Sequence, residues 1–99
     1  MATTYLKETL NFLGPEYQLK YIDGEDCIYR KLSDSYDIEV SGAYKKSNSI
    51  SIYIWDITRG TGYGAHIVET IHGIKSREEL KTTLDSVTAK YSEAPHSAE

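Results

Sequence analysis

A chain of 99 residues with formal net charge −4, 39% hydrophobic residues and 26% charged residues has the composition of one globular domain. Folding at this size buries roughly 60–70% of the unfolded surface, which supports a core without metal or disulfide staples. The acidic balance argues against nucleic acid as a direct partner, the single Cys27 excludes an internal disulfide, and the lack of any long apolar run excludes a membrane-spanning helix.

In chain order, 3–13 (TTYLKETLNFL) place Leu6, Leu10 and Leu13 on one stripe of an amphipathic helix, capped by Thr3 or Thr4 and ended by Gly14-Pro15. Residues 16–22 alternate Tyr17, Leu19 and Tyr21 against polar neighbours, a half-buried strand closed by the turn DGED. A second strand, 27–32, has faces that are not cleanly separated. A third, 36–44, sets Tyr36, Ile38 and Val40 inward and Asp37, Glu39 and Ser41 outward. The fourth, in SISIYIWDI, turns Ile50, Ile52 and Ile54 inward.

A glycine-rich connection, 58–65, leads to a fifth strand at 66–74. The helix of 76–91 opens on the capping box Ser76…Glu79 and carries Leu80, Leu84, Val87 and Tyr91 on one stripe. Residues 92–99 lack apolar periodicity and read as an unstructured tail beyond a domain of 1–91. The order predicts an α+β, two-layer fold: a mainly antiparallel sheet of four to five strands with the N-terminal and C-terminal helices on one face. The opposite sheet face is then left to water or to a partner.

That face is expected to hold Tyr53 and Trp55 beside Asp37 and Glu39. Trp and Tyr supply contact area at low rotamer cost and dominate binding hot spots. The alternative buries Trp55 beneath the tail or the glycine-rich loop. Nine Tyr against one Phe also suit positions with an apolar side and a wet end. Residues 23–39 hold six acids against Arg30 and Lys31, while the rest of the chain balances at nine and nine. The net charge thus sits on two turns and a strand, where Asp23, Glu25 and Asp26 would attract a basic partner.

Catalytic and metal signatures are lacking. Gly60, Gly62 and Gly64 precede an apolar strand rather than a helix N-terminus, which favours a flexible hairpin loop whose Arg59 and Tyr63 could touch a partner. His66 and His72, six apart on one strand, would face the same side at ~20 Å, too far to share a metal. Cys27 lies among acids that would raise its pKa and blunt it as a nucleophile. No cofactor, metal or enzymatic activity is expected. With no signal-peptide pattern at the N-terminus, the protein is expected in the cytoplasm.

With SYDIEVSG, SISIYIWDI and the capped helix SREELKTTLDSVTAKY, this short, acidic, Tyr-rich chain resembles the small anti-CRISPR inhibitors carried by phages and mobile elements of Firmicutes. The similarity is one of size, charge and helix–sheet–helix organisation over residues 3–91. It implies a cytoplasmic, non-enzymatic protein that blocks a CRISPR effector nuclease by placing its own acids on a basic nucleic-acid-binding surface, as a DNA mimic does. The other reading is a homodimeric housekeeping module that binds a small ligand or protein and self-associates through the open sheet face.

Overall fold

A computed structural model describes residues 3–58 and 65–97, with side chains described through Tyr91. Helix α1 (Thr4–Leu13) starts where Thr3 Oγ1 accepts the Leu6 N–H at 3.1 Å, and it ends at Gly14, whose φ of 117° a side chain would resist. Five strands follow: β1 (Gln18–Ile22), β2 (Glu25–Lys31), β3 (Tyr36–Ser41), β4 (Ile50–Asp56) and β5 (His66–Ile74). They pair in sequence order, each antiparallel to the next, into one sheet. Helix α2 (Arg77–Ser97) closes the α+β fold.

Leu6 and Leu13 of α1 and Leu80, Leu84 and Val87 of α2 share one core with Ile28, Ile38, Val40, Ile50, Ile52, Ile54 and Ile74. The strand members of that core on β3 and β4 are even-numbered, so both helices cover the same sheet face. Each such side chain stabilises by roughly 1.5–3 kcal/mol when fully buried. Arg77 ties the helices together: its Nε donates to Thr9 Oγ1 at 2.9 Å and its guanidinium lies 4.3 Å above the Tyr5 ring. Thr9, a polar residue on the apolar side of α1, is buried because this bond and its own bond to the Tyr5 carbonyl satisfy it. At the other end, Tyr91 packs edge-on against Tyr36, and its hydroxyl donates to Glu69 of β5 at 2.5 Å.

Ser76 Oγ accepts the Glu79 N–H at 3.0 Å, while Glu79 reaches back to the Lys75 N–H at 2.9 Å. The Ser76→Ala protein should therefore lose about 1 kcal/mol, read as a lower urea midpoint with an unchanged slope.

Several boundaries differ from the sequence reading. The last helix continues through 92–97, the segment expected to be a tail. β3 leaves the ladder at Ser41 rather than continuing to Tyr44. Gly42 has φ 87° and turns its N–H to Glu25 Oε2 at 2.7 Å, and a Cβ there would meet the Ser49 carbonyl oxygen at 2.5 Å. Register shifts against β4, between Ile50 and Ile52 and between Ile54 and Trp55, break the period of β5. His66 and His72 consequently do not share a face, as strict alternation required: His66 lies 3.8 Å from Asp56, whereas His72 bonds Ser51 and stacks edge-on against Tyr53.

Candidate functional site on the helix-free sheet face

Because Ile52 and Ile54 turn toward the helices, their neighbours Tyr53 and Trp55 turn away from them. Antiparallel register sets Tyr53 opposite Glu39 and Trp55 opposite Asp37. On β2, Ile28 belongs to the core, so Glu25, Cys27 and Tyr29 take the other face, and pairing brings Lys20 and Ile22 of β1 beside them. The unclear alternation of β2 now has a cause. Cys27 and Ile28 point to opposite faces and both are buried, so the helix-free face is itself partly covered.

Hydrogen bonds between side chains order this surface. Trp55 Nε1 donates to Glu39 Oε1 at 3.0 Å, and Tyr29 Oη donates to Asp37 Oδ2 at 2.5 Å. Glu25 accepts from Ser41 Oγ at 3.0 Å as well as from the Gly42 N–H. The Cys27 thiol lies 3.9 Å from Glu39 Oε2, a weak donor contact. Asp37 is only 7% exposed, and its Oδ1 is buried without a hydrogen-bond partner.

Burial pushes the Glu39 carboxyl above the usual range; the Trp55 hydrogen bond pulls it back, and the charges of Asp23 and Glu25 push it up again. Burial, then Glu25 and Glu39, raise Cys27 to about 12. Burial and the bond to Asp37 likewise raise the Tyr29 hydroxyl. A buried thiol held protonated among carboxylates is a poor nucleophile. Iodoacetamide at pH 8 should accordingly leave native Cys27 unmodified over the time that alkylates it fully in denaturant, by intact mass. Rapid native labelling would place the thiol at the surface.

Two depressions share Trp55, Glu39 and Ile22. One, of ≈ 250 Å³, is lined by Lys20, Tyr29, Asp37, Glu39 and Trp55 and flanked by Ile57 and Ala65. The other, of ≈ 470 Å³, is lined by Asp23, Glu25, Cys27, Glu39, Tyr53 and Trp55. Among the described residues, no three His, Cys, Asp or Glu side chains are grouped to hold a metal ion.

Of the residues expected at a contact surface, Tyr53, Trp55, Glu39, Glu25 and Asp23 meet here, and Asp37 forms part of the floor rather than the surface. Asp26 does not join them: it shares the side of β2 with Ile28 and lines a depression with Leu6, Tyr21 and Tyr44. Arg59 and Tyr63 lie outside the described residues. The sequence reading missed Lys20, Tyr29 and Cys27 as parts of the site. The phase of Lys20 on β1 was visible, whereas the faces of β2 were not separated in the sequence, and only the register against β3 places all three beside the acids.

Among the described residues, no helix is long and apolar enough to cross a membrane. Compared with protein-family models, curated proteins and solved structures, the chain gives no match.

Proposed function

We propose that this protein is a non-enzymatic binding protein that docks its helix-free sheet face on a basic surface of a larger protein. In this reading it is an inhibitor of the anti-CRISPR type, acting in the cytoplasm of a bacterial host by covering the nucleic-acid-binding surface of a nuclease. The observation that carries the reading is the pairing of Trp55 and Tyr53 with Asp23, Glu25, Asp37 and Glu39 across two adjoining depressions. Glu25, Asp37 and Glu39 form no ion pair with a Lys or Arg among the described residues. Partly desolvated acids without a cation favour a partner that brings one. The aromatic rings add contact area where the partner would seat.

Purified CRISPR effector nucleases, assayed for DNA binding and cleavage with and without the protein, test the reading. Inhibition of one effector supports it, and unaffected cleavage across the effectors refutes the inhibitor role. Asp23 is exposed in a turn, whereas Glu25 also holds Gly42, so Asp23→Lys is the cleaner charge reversal. It should slow association severalfold at low salt and leave dissociation nearly unchanged, since rim charges act mainly on encounter. An unchanged association rate would take Asp23 out of the interface.

Self-association has its own support. β5 is an edge strand of nine residues with Ile67 and Val68 each more than 40% exposed, a surface that can template a second strand. Sedimentation at micromolar concentration separates the two: a monomer leaves the sheet face free for a foreign partner, and a tight dimer supports the homodimeric module.

A further inference from the structure

We propose that the depression between Tyr29 and Trp55 is a receptor for one arginine side chain of the partner, held by Glu39 and by the buried charge of Asp37. The inference rests on the docking face proposed above and names the chemistry that face recognises. Asp37 lies at the floor, more than nine-tenths buried, with one oxygen bonded to Tyr29 and the other without a partner. A carboxylate held in that position gains from any cation that enters above it, because the surrounding protein screens their attraction far less than water does.

Glu39 supplies direct contact. A carboxylate has about four acceptor positions, and this one meets a single N–H from Trp55 and a weak S–H from Cys27. The walls are aromatic, and one already receives a cation: Lys20 Nζ lies 4.1 Å from the centre of the Tyr29 ring. Among the described residues no Lys or Arg lies over the Trp55 ring, although Trp is the best aromatic partner for a cation. Among the described residues, the acids Asp23, Glu25, Asp37 and Glu39 across the two depressions face Lys20 alone among lining lysines and arginines.

Size and hydration select the occupant. At ≈ 250 Å³ the depression is smaller than the roughly 300–1,000 Å³ of drug-sized ligand pockets, and it suits a single side chain. Guanidinium is planar, stacks on indole and is more weakly hydrated than ammonium, so it loses less on entering a half-dry site. Its fork of donors can bond Glu39 while its plane lies on Trp55. Lysine offers a point charge that gains nothing from the flat wall.

Trp55 is the only tryptophan in the chain, so its emission reports directly on the depression. The experiment titrates the full-length protein with acetyl-(Gly-Arg)4-amide, with the lysine analogue, and with the citrulline analogue, which keeps the shape of arginine without its charge. The arginine peptide should shift Trp55 emission saturably and bind at least about fivefold more tightly than the lysine peptide. The citrulline peptide should leave emission unchanged. Glu39→Gln and Asp37→Asn, which keep acceptors for Trp55 and Tyr29, should each weaken arginine binding about tenfold or more. Asp85→Asn, on the exposed side of α2, should leave it within about twofold. Thermal melts confirm that each variant is folded, and if Asp37→Asn is not, Glu39→Gln decides alone.

Equal affinity for arginine and lysine, or affinity indifferent to Glu39→Gln, overturns the receptor. If Asp23→Lys still weakens both peptides, the acidic docking face survives that result. Citrulline binding as tight as arginine overturns the role of charge. Failure of every basic peptide to bind removes the docking face as well.

Discussion

The Leu84→Ala protein should be less stable by about 2–5 kcal/mol, the largest loss expected from any single truncation considered for this fold. Leu84 is 1% exposed, near the centre of the α2 stripe, and packs in the core shared by both helices and the sheet. Removing three carbons there forfeits their transfer energy and leaves a cavity that stiff neighbours such as Ile52 and Ile54 cannot fill without moving the sheet. A domain of this size has about 5–15 kcal/mol in total, so the variant should melt many degrees lower or be partly unfolded at 37 °C. The measurement is a urea melt of both proteins with a common slope. A difference below ~0.5 kcal/mol would mean that α2 does not pack as described.

Trp55→Ala should act on the other side of the sheet with the opposite balance. If the aromatic–acidic face is the docking surface, truncation should cost more than ~2 kcal/mol of partner affinity, the threshold of a hot spot. Its cost in stability should be smaller. Trp55 is half-buried and lies outside the helix-covered core, so the loss combines its hydrogen bond to Glu39, worth about 1 kcal/mol, with the partial burial of its ring, and no closed core cavity is left. Thermal melting and affinity must be measured on the same protein. A large drop in melting temperature with unchanged affinity would make Trp55 a structural residue and undo the proposed face. Trp55→Phe sharpens the comparison, since it keeps a smaller aromatic wall while removing the N–H that bonds Glu39.

Binding of a cation on this face should also depend on pH with a definite sign. Burial holds Glu39 above the ordinary carboxylate range, so its negative charge develops at higher pH than that of a free glutamate. Affinity for a basic partner should accordingly rise through that shifted titration, and Glu39→Gln should flatten the rise.

Much of the plan was present in local pattern. Leu6 and Leu13, and then Leu80, Leu84 and Val87, recur at helical spacing, while Ile50, Ile52 and Ile54 recur at strand spacing. Those periods determine which side of each element can be buried whatever its neighbours are. The cap of α2 at Ser76 and the exit from α1 at Gly14 are equally local, because a few adjacent backbone groups decide them. From these alone the helix–sheet–helix order follows, along with the departure of Tyr53 and Trp55 from the core face.

Pairing decided the rest. Asp37 looked like a surface acid, and its neighbours along the chain give no reason to bury it. Only the antiparallel register sets it opposite Trp55 and brings Tyr29 from the next strand to bond it. Asp26, grouped by sequence with Asp23 and Glu25, falls on the opposite side of β2 because pairing turns Ile28 into the core. The register shifts in β5 separate His66 from His72, which strict alternation had put on one face. Local spacing reports which face of an element is apolar. The depth of a charge, the partner of a hydroxyl and the phase of a bulged strand depend on residues distant in the chain, so only the tertiary structure determines them.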